Sequence, residues 1–147
     1  MTRKCYLPPV YSDRVDQVRI TAHSSLNFTV IINPDSGPGS DSSPNNDYFS
    51  QIQKLNGYDN VQTVGYVRTS YSKRDVKGVL ADVATYSGWA NISNASPGSL
   101  SMHGIFFDEV SSDYSPDVAT YLNTINNAVK SAIGLHEKLV CQHLHFS

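Results

Sequence analysis

His103-Gly104-Ile105-Phe106-Phe107-Asp108-Glu109 is an apolar run that stops abruptly on two carboxylates. It is too short for a helix and has no polar residue from Gly104 to Phe107, which is the pattern of a strand buried on both faces. Strands of that kind belong to parallel sheets covered by helices, where functional groups gather at the C-terminal strand ends. Alternation along the strand puts Asp108 on the face of Gly104 and Phe106. If Phe106 lines the inside of a curved sheet, Asp108 sits in its mouth and Glu109 begins the loop.

Working upstream, Val61 to Val67 and Phe28-Thr29-Val30-Ile31-Ile32 read as two more buried strands. The latter stops at Asn33-Pro34, and Asp35-Ser36-Gly37-Pro38-Gly39-Ser40 is loop by its turn residues. Tyr6 to Tyr11, interrupted by Pro8-Pro9, is the first strand candidate. Helical patterns alternate with these strands. Val15, Val18 and Ala22 form a weak one, and Asp47 to Leu55 a better one that Asn56-Gly57 closes. Val76, Val79, Leu80 and Val83 form a third, ending near Gly88-Trp89. Downstream of the carboxylates, Ser115 caps and Pro116 opens a helix whose stripe is Val118, Leu122, Ile125, Val129 and Ile133, with Gly134 as its stop.

Four βα units with unbroken strands predict an α/β fold with parallel pairing, either doubly wound or part of a β/α barrel. Periodicity does not separate the two. No G-x-G-x-x-G loop follows the first strand, which weakens a dinucleotide-binding reading. Gly37-Pro38-Gly39 lacks the Lys-Ser/Thr of a phosphate-gripping loop. The strand ends in order are Tyr11, Asn33, Arg68-Thr69 with Tyr71, and Asp108-Glu109, each directly after an apolar run. Carboxylates in such a place bind divalent metal, act as general acid and base, or attack as nucleophiles. The plain alternative is that Asp108 and Glu109 cap a loop and face water.

The composition narrows the partner. With 39% hydrophobic and 16% charged residues in 147, and a net charge of −2, the chain is globular and lacks the basic face that nucleic acid requires. Nine tyrosines against one tryptophan suit sugar contacts, where a ring stacks and a phenol hydrogen-bonds, as well as ordinary core filling. No run reaches the ~20 apolar residues of a membrane span. Cys5 and Cys141 form no CxxC pair. Cys141, His143 and His145 alternate near the end, with His136 upstream, but a fourth ligand at proper spacing is not evident, so neither metal nor cofactor is expected. Three N-x-S/T sequons, at Asn27, Asn91 and Asn94, are glycosylation candidates, although the start has no apolar signal region.

Three blocks carry a more specific likeness. Val30-Ile31-Ile32-Asn33-Pro34-Asp35-Ser36-Gly37-Pro38-Gly39, Val64-Gly65-Tyr66-Val67-Arg68-Thr69-Ser70-Tyr71 and Gly104-Ile105-Phe106-Phe107-Asp108-Glu109 resemble, in order and spacing, the signature blocks of the spherulin-4 family. The resemblance runs from about Tyr6 to Gly134. It implies a (β/α)₈ TIM barrel of the glycoside hydrolase kind. Fungal members are secreted or cell-surface enzymes that cleave α-1,4-linked galactosamine or N-acetylgalactosamine polysaccharide. By this resemblance Asp108 and Glu109 match the catalytic pair, Asp108 as the nucleophile candidate. Asn33, Tyr66 and Tyr71 match positions that line the sugar pocket.

The chain also departs from the family. A full barrel takes about 250 residues, so residues 1–134 are expected to be its N-terminal half, about four βα units. Residues 135–147 read as an atypical tail, without the Asn-Pro-Gly-like turn that ends the family's fifth strand. The family's further catalytic Glu lies on a later strand, so the chain is expected to be catalytically incomplete. A non-catalytic carbohydrate-binding or cell-wall developmental role is the alternative. Open strand edges lead us to expect self-association.

Overall fold

The computed structural model describes residues 4–6, 19–92 and 99–145. Five strands are present: β1 Lys4–Tyr6, β2 Phe28–Ile32, β3 Val61–Arg68, β4 Gly104–Ser111 and β5 Leu139–His145. They form one sheet in the order β1-β2-β3-β4-β5, every neighbouring pair parallel. Helices fill the crossovers: residues 19–22 lead into β2, then come α1 Asn46–Asn56, α2 Val76–Gly88 with a 3₁₀ turn Trp89–Asn91, and α3 Pro116–Ser131. Strand order equals chain order. A doubly wound sheet reverses that order at its switch point, and these strands do not reverse.

The helices start where their caps dictate. Asn45, Asp75 and Ser115 accept the backbone N–H groups of Tyr48, Lys77 and Val118 at 3.1, 3.0 and 3.1 Å, each satisfying a donor that the first turn leaves unpaired. Strand alternation then separates two faces. Val30, Ile32, Val61, Val67, Ile105 and Phe107 pack under the helices in the main core. Ile31, Val64, Tyr66 and Phe106 form a smaller cluster on the other face, with Cys141 against it. All four are no more than 8% exposed.

Four expectations need correction. The first strand begins at Lys4 and is described to Tyr6, and Leu7 to Tyr11 fall outside the described residues. The fourth strand continues past the carboxylates to Ser111, so Glu109 does not begin a loop. Ile133 is 97% exposed. The helix ends at Ser131, because Gly134 packs on the Ser87 backbone where a Cβ has no room, and the chain must leave the helical path to get there. Leu139–His145, read as tail, is the fifth strand and pairs with β4.

Candidate functional site

The site lies at the C-terminal edge of the sheet, and parallel register assembles it. Gly65 stands opposite Ile32, Tyr66 opposite Phe106, and Arg68 opposite Asp108. Asn33, Thr69 and Asp108 therefore share one edge. Between β4 and β5 the register shifts: Phe107 pairs with Gln142, and Val110 with Leu144. Asp108 and Glu109 together face the single residue His143, which is a β-bulge. Glu109 takes φ +53°, a left-handed conformation costing a non-glycine residue roughly 1–2 kcal/mol. The extra residue resets alternation, so Val110 returns to the helix side and is fully buried.

Among the described residues, three donors converge on the Asp108 carboxylate. Tyr66 donates its hydroxyl to Oδ2 at 2.8 Å. The Glu109 backbone N–H donates to Oδ1 at 2.8 Å, a bond that the left-handed turn makes possible. His143 Nδ1 lies 2.9 Å from Oδ1, with its ring stacked on Phe106 at 6.4 Å between centroids. Burial pushes the Asp108 pKa up. The Glu109 N–H, the Tyr66 hydroxyl and His143 outweigh it, and the carboxyl settles below its ordinary value. Burial, then the bond to Asp108 and the charges of Asp108 and Glu109, push the Tyr66 phenol far up. Tyr66 is thus a permanent donor and Asp108 a permanent anion near neutral pH.

The other residues singled out from sequence have different settings. Asn33 turns its Oδ1 to its own loop, accepting the Gly37 N–H at 3.2 Å, while its carbonyl accepts the Tyr48 hydroxyl at 2.9 Å. It shapes the β2–α1 loop. Tyr66 is a buried partner of Asp108 rather than an open platform. Tyr71 is 48% exposed, in a run of three left-handed residues, Ser70, Tyr71 and Ser72, at φ 50°, 57° and 61°. It follows β3, and its N–H donates to the Glu109 carbonyl at 2.6 Å. Asn27 and Asn91 are exposed, the former in a sequon whose Thr29 is buried in β2. Asn94 lies outside the described residues.

Sequence reading missed His143 as a partner of Asp108 and weighed it only as a metal ligand. The available signal was the alternation of Cys141, His143 and His145 after a β-branched start, which marks a strand. Potential metal ligands do meet elsewhere: His103, His136 and Glu137 have ligand atoms within 4.8 Å. This set is at the opposite sheet edge, where Glu137 accepts from Gln62 Nε2. His103 Nδ1 accepts the Thr63 N–H at 3.0 Å, which puts the ring proton on Nε2 and leaves no lone pair for an ion.

The half-buried His103 at that edge makes stability pH-dependent. Burial first, and His136 next, depress the His103 pKa, partly opposed by Glu137. A depressed imidazole contributes stability that is full above its unfolded value of about 6.5 and is lost as pH falls toward the folded value. Thermal melts between pH 7.5 and 5 should show Tm falling with acidification, and His103→Gln should flatten that fall. Parallel curves for the two proteins would contradict this account.

Comparisons with known proteins agree on one family. The family described as spherulation-specific family 4 matches residues 12–143. Spherulin-4 of Physarum polycephalum is 39% identical over 119 residues, covering 81% of this chain and 32% of that protein. The crystal structure of Aspergillus clavatus Sph3, in complex with GalNAc, superposes with a TM-score of 0.82 at 39% identity, over 89% of this chain and 51% of that one. The chain thus spans a third of the first relative and half of the second.

Proposed function

The chain belongs to spherulation-specific family 4, and from that premise we propose that it carries the nucleophile of a retaining, endo-acting glycoside hydrolase. Its substrate on this reading is an α-1,4-linked galactosamine or N-acetylgalactosamine polysaccharide. One observation carries the proposal. Asp108 is an ionised carboxylate held by Tyr66, Glu109 and His143 at the strand mouth, in a chain 39% identical to a protein crystallised with GalNAc. Asp108 attacks the anomeric carbon while the bond to the leaving oxygen breaks and that oxygen takes a proton from an acid. Water then attacks the same carbon and releases Asp108. An attacking oxygen must first shed a donor. His143, the partner with 57% side-chain exposure, yields to a sugar more easily than buried Tyr66 does.

The sequential parallel order supports reading the five strands as the opening part of a (β/α)₈ barrel, with the acid/base carboxyl on a later strand, as the family resemblance implies. A secreted or cell-surface location belongs to the same proposal. No helix among the described residues is long and apolar enough to cross a membrane. A second reading, non-catalytic carbohydrate binding, draws on the fact that both Asp108 oxygens already carry donors.

Co-sedimentation with insoluble galactosamine polymer, with reducing ends counted in parallel, tests both readings. We expect the protein in the pellet and its release by soluble GalNAc. A protein that stays in the supernatant in every condition sinks the carbohydrate assignment altogether. A concentration series without polymer also reads self-association through the outer edge of β5.

A further inference from the structure

We propose that Thr69 is the positioning residue of this site: its N–H and hydroxyl clamp the Asp108 and Glu109 carbonyls and hold the left-handed turn that aims the Glu109 N–H at the Asp108 carboxylate. The inference rests on the hydrolase reading for its purpose, but its geometry is independent of it.

Thr69 directly follows β3 and is fully buried. Its N–H donates to the Asp108 carbonyl at 3.0 Å. Its hydroxyl lies 3.1 Å from that carbonyl and 2.8 Å from the Glu109 carbonyl, so its one proton is shared between two successive peptide groups. The Tyr71 N–H adds a third donor, to the Glu109 carbonyl. These are the two peptides that flank the left-handed residue. A buried carbonyl cannot go without a partner, and a bulged strand takes its carbonyls out of the regular ladder. The bond from the Thr69 N–H continues the parallel ladder in which Arg68 stands opposite Asp108. The Thr69 hydroxyl, with the Tyr71 N–H, supplies the Glu109 carbonyl that the bulge adds.

The same loop is itself strained. Ser70, Tyr71 and Ser72 are left-handed in succession, and the Lys73 and Arg74 N–H groups close the turn onto the Ser70 and Thr69 carbonyls, both at 3.0 Å. Two unfavourable backbone segments, one in β4 and one in the loop after β3, are thus joined through Thr69 and Tyr71. Strain of this kind persists only where the surroundings over-determine it. What it gains here is one N–H on Oδ1, about 2.8 Å away, from a residue whose N–H would otherwise point across to a neighbouring strand. A threonine that only filled space would do as well without its hydroxyl. Thr63, also fully buried, shows the ordinary alternative, with its hydroxyl spent on Asn56.

The test uses Thr69→Val, which keeps the shape and removes the hydroxyl, and Thr69→Ser, which restores it. The readout is the pH midpoint of the Asp108 carboxyl, followed by ¹³C NMR in the 147-residue protein. The groups facing that carboxyl, Tyr66 and Arg68 from β3, Glu109 from its own strand and His143 from β5, are unchanged in both variants. Losing a donor to the charged form raises a carboxyl pKa. We expect the Thr69→Val midpoint about half a unit or more above wild type, and the Thr69→Ser midpoint back near it. Thr69→Ala takes the place of Val if the latter does not fold. A Val or Ala midpoint that overlays wild type, or a Ser midpoint displaced as far as Val, overturns the proposal. A displaced Val midpoint with Ser rescue sustains it even where Asp108→Asn leaves polymer cleavage untouched, a result that removes the hydrolase reading alone.

Discussion

Asp108→Asn is expected to lower cleavage of α-1,4-linked galactosamine polymer by roughly 10³-fold or more in any form of this protein that cleaves it, about 4 kcal/mol of barrier at ~1.36 kcal/mol per tenfold. The asparagine amide has the size of the carboxylate but cannot form the glycosyl ester. It also sets an NH₂ at one of the two positions, Oδ1 facing the Glu109 N–H and Oδ2 facing the Tyr66 hydroxyl, where an acceptor is needed. The melting temperature of the variant separates lost chemistry from lost fold. For the 147-residue protein itself we expect negligible cleavage, because general acid assistance contributes about 10²–10⁴ and, on the proposed reading, that acid lies on a later strand. Efficient cleavage by this chain would point to Glu109, whose charge already acts on Tyr66. Glu137 is not available for that role, since it sits at the far edge of the sheet with Gln62 and His103. Equal cleavage with Asn and Asp at 108 would remove Asp108 from the mechanism.

A large stability effect is expected from Gly65→Ala. A Cβ at Gly65 comes within 2.6 Å of Tyr86 ring atoms. That ring has nowhere to go. Tyr86 is fully buried, lies edge-on to Trp89 at 4.8 Å and donates its hydroxyl to the Ile32 carbonyl at 3.0 Å. Overpacking of a filled core costs about 1–3 kcal/mol and occasionally more, and here β3 itself must shift. A loss near the upper figure lowers Tm on the order of 10 °C in a chain of this size. Adding Tyr86→Leu should recover part of the loss, because the shorter side chain vacates the ring's place. A single variant that melts within a degree or two of wild type would show that the helix layer is looser than these contacts imply.

Sequence patterns located most of the frame. β2 was readable to the residue because Phe28-Thr29-Val30-Ile31-Ile32 is unbroken and Asn33-Pro34 stops it. α3 started where Ser115 and Pro116 said it must. Its end did not follow its stripe, since the packing of Gly134 on Ser87 is a contact between distant segments that no local pattern encodes. β5 was hidden for a related reason. Leu139-Val140-Cys141-Gln142-His143-Leu144-His145 alternates weakly, and what makes it a strand is the free edge of β4 beside it.

The candidate site divides the same way. By themselves the residues determined that Asp108 shares a face with Phe106 and ends an apolar run, and that Asn33, Thr69 and Asp108 lie toward the C-terminal ends of parallel strands, because alternation and turn chemistry are local properties. Only the tertiary structure decided what surrounds the carboxylate. The bulge at Asp108-Glu109, the left-handed Glu109, the clamp by Thr69 and the approach of His143 all arise from the register between strands separated by 30 residues or more. Register is settled by the sum of packing over whole faces of the sheet, and a local window of sequence contains no part of that sum.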